Sequence, residues 1–153
     1  MSKSNTSSAG EECILCNIVA HRLPLWKVYE DDDVLAILDK FPVGRGHTLV
    51  LTKKHYPTLL DTPPEEVASL FKVVALVTKA VKAAMKADGV NVLQCNGKVA
   101  WQEIPHIHVH VIPRYSGDNL KIRWPSYEAS DAEKDEVRSL TSKEVQRLVG
   151  YLA

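Results

Sequence analysis

Apolar and polar positions along this chain follow two rhythms, one of period two and one of three and four. Between residues 27 and 52 the apolar residues come in short runs broken by turn residues. Lys27–Glu30 and Val34–Asp39 are predicted strands flanking the acidic turn Asp31-Asp32-Asp33, a hairpin by its turn chemistry. The loop Lys40–Gly46, with two glycines, leads into a third predicted strand, His47–Thr52. The clearest helix is predicted to open with Thr62 as N-cap, Pro63 in the first helical position and Glu65 completing a capping box. Val67, Leu70, Phe71, Val74, Val77, Val81 and Ala84 make its apolar stripe, with Lys72, Lys79, Lys82 and Lys86 on other faces. Asp88-Gly89 is the expected stop. Val90–Cys95 and Pro105–Pro113 are two further predicted strands, separated by the turn pair Asn96-Gly97 and a loop. Cys13–His21 is predicted to form a short helix ended by Pro24, with Ile14, Leu15 and Ile18 together. Three strands, a long helix and two strands, with hairpin-length early connections, predict an α+β class and an antiparallel sheet of about five strands. The charged stretch Glu128–Arg138 is predicted as a surface loop or frayed helix, and Ser142–Leu152 as a final helix.

Composition narrows the function classes. The chain has 153 residues, 45% hydrophobic and 25% charged, which is one ordinary globular domain with no second-domain boundary and no internal repeat. Met1–Gly10 is polar and Ser-rich, an expected disordered tail without the apolar stretch of a signal peptide. Nineteen basic residues balance nineteen acidic ones, and without a basic stripe a nucleic acid is not expected as the main partner. No apolar run reaches the length of a membrane span. The three cysteines, two of them in a Cys-x-x-Cys pair, do not read as a disulfide framework. A cytoplasmic protein with reduced thiols is the expectation, with the nucleus as a second compartment.

The chemistry concentrates in Pro105-His106-Ile107-His108-Val109-His110-Val111-Ile112-Pro113. In a strand, His106, His108 and His110 face one way, about 6–7 Å apart in succession, and Ile107, Val109 and Val111 face the other. The aliphatic face can pack on the long helix. Three imidazoles in a row serve no packing need and invite charge repulsion, so they point to chemistry. They can ligate a transition metal, or act as nucleophile and proton carriers. Spacing alone leaves both open.

The pattern resembles the histidine-triad (HIT) superfamily, whose signature is His-x-His-x-His followed by two apolar residues. The agreement extends to Cys13-Ile14-Leu15-Cys16, Leu38-Asp39, Gly46-His47-Thr48-Leu49-Val50, Lys54-His55, Asn96-Gly97, Gln102 and Trp124-Pro125, in the family's order. The Cys-x-x-Cys pair and Trp124-Pro125 bring it nearer the Hint-like nucleoside phosphoramidase branch. The resemblance implies a HIT domain over residues 11–126, a C-terminal extension over 127–153, and a homodimer whose sheets join across the interface, with Trp124 near the partner's site. It implies hydrolysis of a purine nucleoside phosphoramidate through a nucleotidyl-His108 intermediate. His110 and His47 would assist at the phosphate beside Asn96 and Gln102, Asp39 would bind the ribose, and Ile14, Leu15, Ile18 and Ile37 would form the base slot. It further implies a structural zinc on Cys13, Cys16, His55 and His106, with no metal required for the chemistry. A dinucleoside polyphosphate hydrolase and a nucleotide-binding regulatory protein are the alternatives within the same resemblance, and a three-histidine metalloenzyme is the alternative outside it. Trp101 and Glu103 depart from the animal Hint-like pattern. Glu103 either protonates a leaving amine or faces solvent.

Overall fold

Because side chains alternate along each strand, the central strands separate two apolar layers, and the long helix covers only one of them. The computed structural model describes residues 13–153; the tail expected at Met1–Gly10 lies outside them. Strands β1 (Lys27–Glu30), β2 (Val34–Leu38), β3 (Thr48–Thr52), β4 (Gly89–Gln94) and β5 (His108–Arg114) form one antiparallel sheet of order β1-β2-β3-β5-β4. Helices α1 (Ile14–Val19) and α2 (Pro64–Ala84) complete the unit that runs to Asp118, and a second unit spans Asn119–Ala153. The expected α+β class and five-stranded antiparallel sheet are what the chain adopts.

On one face, Val34, Ala36, Val50, Val109 and Val111, with Ile107 just before β5, pack against Leu70, Val73, Val74, Val77 and Val81 of α2. On the other, Leu35, Ile37, Leu49 and Leu51 cluster with Cys13 and Leu15 of the α1 region. This second layer is the one that shares its face with the histidines, because Leu51 pairs with His108 and Leu49 with His110.

Several boundaries differ from expectation. Helix α2 starts at Pro64 with Pro63 as N-cap and no side-chain cap; the Thr62 hydroxyl is drawn back to the Thr58 carbonyl, closing a short 3₁₀ turn over Leu59–Asp61. The capping box belongs to that turn, between Thr58 and Asp61. A missing cap costs about 1 kcal/mol, while each fully buried Leu or Val contributes about 1.5–3 kcal/mol, so the buried stripe decides that the helix forms. Within that stripe Val73 and Glu66 are buried where Val67, Phe71 and Ala84 were expected; Phe71 is exposed. The helix ends three residues before Asp88-Gly89, with Lys86 left-handed at φ 51°. There Ala87 N–H donates to the Lys82 carbonyl and Lys86 N–H to that of Ala83, a Schellman closure without glycine.

Strand β5 begins at His108, so His106 and Ile107 precede it. The surface loop or frayed helix expected over Glu128–Arg138 and the final helix expected over Ser142–Leu152 are one continuous helix, α3 (Asp131–Leu148), followed by a 3₁₀ turn over Val149–Leu152. Ser130 caps it through Glu133 N–H, and the pairs Asp131–Lys134, Asp135–Arg138 and Glu144–Arg147 line its surface, so the charges that looked loop-like support the helix. Among the described residues, no helix is long and apolar enough to cross a membrane.

Candidate active site and metal centre

The sequence around His106–His110 folds so that main-chain carbonyls and amides fix which nitrogen of each ring carries the proton. The Nδ1 of His108 lies 2.7 Å from the His106 carbonyl, which can only accept. His108 therefore holds its proton on Nδ1 and presents a bare Nε2. The Nδ1 of His47 accepts from Val43 N–H at 3.2 Å, leaving the proton on its Nε2, which lies 2.9 Å from His110 Nδ1 and 3.5 Å from Asp39 Oδ2. His47 accordingly donates to His110, and His110 keeps its own N–H on Nε2.

These rings are close: 5.0 Å between the centroids of His108 and His110, and 5.1 Å between those of His47 and His110. Burial, reinforced by the neighbouring His108 and His47, pushes the His110 pKa down to about 4. Burial also lowers that of His47, against the pull of Asp39. Asp39 is anchored by accepting from Phe41 N–H with Oδ1, and its loop closes by Asp39 N–H donating to the His47 carbonyl. A neutral N–H donor, a bare ring nitrogen and a carboxylate thus converge on one side of the sheet, a set suited to attacking and holding a phosphoryl group.

A second cluster lies on the same face. Cys13 Sγ, Cys16 Sγ and the ring nitrogens of His55 and His106 all fall within 4.8 Å of one another. His106 is fully buried, and its Nε2–H donates to the Thr52 carbonyl at 2.7 Å, so its Nδ1 is a lone pair. That lone pair faces His55 Nδ1 at 3.2 Å and both sulfurs at 3.5 Å, and Cys16 Sγ is 3.3 Å from His55 Nδ1. Bonds of 2.0–2.3 Å in a tetrahedral centre imply ligand–ligand edges of about 3.3–3.8 Å. The four separations of 3.2–3.5 Å nearly match these edges, and one cation between the atoms would satisfy them all. Burial pushes the His106 pKa down to about 4, so the ring is a neutral ligand at pH 7.

The remaining predicted residues divide. Leu15 and Ile37 are buried in the layer beneath the histidines, Ile18 packs against that layer, and Ile14 is exposed. Asn96 uses its carbonyl oxygen to accept from Leu59 N–H and from the Gln94 amide. Buried Gln102 accepts from Gly97 N–H and donates to the Pro57 and Ile104 carbonyls. Both amides therefore clasp the segment that leads into His106. Beside them opens a cavity of about 810 Å³ lined by Gly97, Lys98, Trp101, Gln102, Glu103 and Pro105, so Glu103 and Trp101 face the same hollow. Sequence reasoning missed Val43 and Thr52, whose contributions are main-chain groups and leave no trace in residue type. It also missed Lys98, one residue beyond the Asn96-Gly97 turn.

Comparison with known proteins bears on the family and the fold. The HIT domain family model matches residues 22–117. The chain is 42% identical over 124 residues to a protein of Arabidopsis thaliana named adenylylsulfatase HINT3, covering 81% of this chain but only 61% of that protein. It is 35% identical to adenosine 5′-monophosphoramidase HNT1 of Saccharomyces cerevisiae, covering 90% of this chain and 84% of that one. Among solved structures, SMU.412c of Streptococcus mutans superposes with a TM-score of 0.85 at 35% identity, over 95% of this chain and 91% of that chain. A Zn-bound histidine triad family protein of Mycobacterium smegmatis superposes with a TM-score of 0.70 at 38% identity, over 88% of this chain and 99% of that chain. On sequence, fold and the histidine face together, the chain belongs to the HIT domain family.

Proposed function

We propose that this protein hydrolyses a purine nucleoside phosphoramidate of the AMP-amine type, with His108 as nucleophile. The observation that carries the reading is the tautomer of His108, whose Nδ1–H is held by the His106 carbonyl so that Nε2 offers a lone pair. In the first step the Nε2–P bond forms and the P–N bond breaks, the leaving amine taking a proton from Glu103 or water. In the second, water adds to phosphorus, the N–P bond breaks and the nucleotide departs. His110, neutral at pH 7, donates Nε2–H to the phosphoryl oxygen in both steps, and His47 orients it. Asp39 accepts from the ribose hydroxyls, while Ile14, Leu15, Ile18 and Ile37 wall the base. Asn96 and Gln102 hold the 96–105 segment beside the phosphate.

AMP release from adenosine 5′-phosphoramidate by wild type and His108→Ala tests the mechanism. The variant should lose at least about 10³-fold in kcat while still binding AMP; a variant with normal kcat refutes it. The A. thaliana relative's name supports a second leaving group, sulfate, and Lys98 in the cavity suits an anion. Comparing kcat/KM for the phosphoramidate, adenylyl sulfate and a dinucleoside polyphosphate ranks these substrates. Binding without turnover of any of them would favour a regulatory role.

Cys13, Cys16, His55 and His106 would hold a structural zinc ion, which supplies a cross-link between α1 and the segment before β5. Support comes from the donor set and from the zinc-bound M. smegmatis relative. Metal analysis of protein purified without chelator should find about one zinc per chain.

The protein acts as a homodimer by this reading. Strand β4 is a sheet edge carrying exposed Val92, and α2 exposes Phe71 and Leu76. Joining two copies along β4 would pair that edge, with exposed Trp124 directed to the partner's site. Val92→Lys should shift sedimentation to a monomer. We place residues 11–126 as the catalytic domain, 127–153 as an extension, and the whole in the cytoplasm, whose resting state keeps thiols reduced in the absence of an oxidant.

A further inference from the structure

Cys13 is the N-cap of α1 and Cys16 its third residue, with Cys16 N–H donating to Cys13 Sγ at 3.4 Å. Helical geometry puts Cα atoms three residues apart at about 5 Å, inside the range a disulfide spans. Cys16 is half-buried and Cys13 buried, so Cys16 is the more exposed residue of the pair, while Cys95 stands outside the cluster. The cluster also joins distant parts of the site. α1 brings Ile14, Leu15 and Ile18, and His55 follows β3. His106 uses its ring in the cluster and its carbonyl on His108.

We propose that Cys13 and Cys16 are a peroxide-sensitive redox pair, whose oxidation to a disulfide releases the bound metal ion and loosens α1, so that thiol state sets substrate affinity. This rests on the metal-centre reading above. The chemistry balances with a peroxide as oxidant. Metal ligation would hold both sulfurs as thiolates, and Cys16 Sγ then attacks a peroxide oxygen: an S–O bond forms, the O–O bond breaks, and hydroxide leaves as water. The Cys13 thiolate then attacks that sulfur: the S–S bond forms, the S–O bond breaks, and a second hydroxide leaves as water. Two thiolates, one peroxide and two protons give one disulfide and two waters, and the metal ion loses both sulfur ligands.

The structure also says which kinetic constant should move. The His106 ring remains tied to the Thr52 carbonyl whether or not a metal is bound, so its own carbonyl still orients His108. Among the described residues, the Cys end of α1 is held to the sheet by the packing of Cys13 and Leu15 and by the cluster itself, so losing the cluster loosens that end while the His106–Thr52 bond stays. Oxidation should therefore raise KM and spare kcat.

The test uses the full chain as Cys95→Ser, leaving only the pair, assayed for metal content and then treated with hydrogen peroxide. Expected results are a mass lower by about 2 Da, one zinc released per disulfide to a chromogenic chelator, and reversal by a dithiol. KM for the phosphoramidate should rise about 10-fold or more, the scale at which support of a metal site is felt, with kcat within about 2-fold. Intact thiols with retained zinc, or a disulfide that leaves KM unchanged, would overturn the proposal. Protein isolated without any metal would instead overturn the metal-centre reading; peroxide treatment of that protein, read by mass alone, then decides whether the pair closes. Protein with the disulfide and zinc release but no turnover before oxidation would locate the failure in the phosphoramidase reading.

Discussion

Gly46, immediately before His47, is the position where a single methyl group should reveal how tightly the catalytic loop is built. Its φ of +90° is one that residues with a Cβ rarely adopt, and an added Cβ would lie 2.6 Å from Met85 Cγ, 2.8 Å from Met85 Sδ and 3.3 Å from Pro113 Cγ. The backbone term costs about 1–2 kcal/mol. Crowding adds about 1 kcal/mol, near the low end for overpacking, because the Met85 thioether can swing aside while the Pro113 ring cannot. Against these, the stiffer unfolded chain returns about 0.4–1 kcal/mol. Gly46→Ala should therefore destabilise by about 1–3 kcal/mol net in urea unfolding. A double-mutant cycle with Met85→Ala separates the terms, since removing Met85 relieves crowding but not φ. The loop is also tied by His47 N–H to the Gly44 carbonyl, so a shift at residue 46 carries the His47 ring with it. A displacement near 1 Å can cost up to about 10²-fold in turnover. Stability within about 0.5 kcal/mol of wild type, together with unchanged kcat, would refute the strain argument and the claim that this loop positions His47.

Four further outcomes follow from the same geometry. If the proposed zinc site is filled, chelation should lower Tm by at least about 5 °C, checked by calorimetry with and without EDTA and restored by added zinc. The metal-free protein should lose stability as pH falls from about 6.5 towards 4. His106 and His110 stay neutral in the folded chain down to about 4, whereas in the unfolded chain they take up protons below their ordinary value near 6.5, so proton uptake favours unfolding across that window. Urea midpoints at pH 7 and pH 5 read the effect, and equal midpoints would count against it. Lys54→Ala leaves the buried Glu66 carboxylate, whose Oε2 has no hydrogen-bond partner among the described residues, without its ion pair. Because Lys54 is itself 69% exposed, the expected cost is about 1–2 kcal/mol rather than the larger figure for a fully buried pair, and Glu66→Gln in the same background should recover most of it. Asp39→Asn keeps an acceptor for Phe41 N–H but turns half of the side chain into a donor, so KM should rise about 10-fold with little change in kcat; a kcat effect alone would argue that Asp39 works through His47 instead.

How much of this was legible in the sequence depended on whether side chains or main chain carried the information. Alternation along residues 106–111 told which face each imidazole and each aliphatic residue would take, and Ile107, Val109 and Val111 do pack on α2. The same rule cannot tell a nucleophile from a metal ligand, because that difference lies in the proton on each ring. His106 and His108 are alike by type and spacing. One gives its Nε2–H to the Thr52 carbonyl and turns Nδ1 to the cysteines; the other gives Nδ1–H to the His106 carbonyl and leaves Nε2 bare. Both choices are made by backbone oxygens, one of them 54 residues away in the chain, and any residue type at position 52 offers the same carbonyl. The start of α2 shifted for a related reason, since Pro63 takes the N-cap position through its main chain and the Thr62 hydroxyl donates back to the Thr58 carbonyl. Glu128–Arg138 stayed open between surface loop and frayed helix because charges alone do not show the i,i+3 geometry in which they pair. A sequence pattern reports which groups are available on a face; which atom of each group remains unspent is decided by hydrogen bonds to the main chain, and the proposed division between metal ligand and nucleophile rests on those bonds.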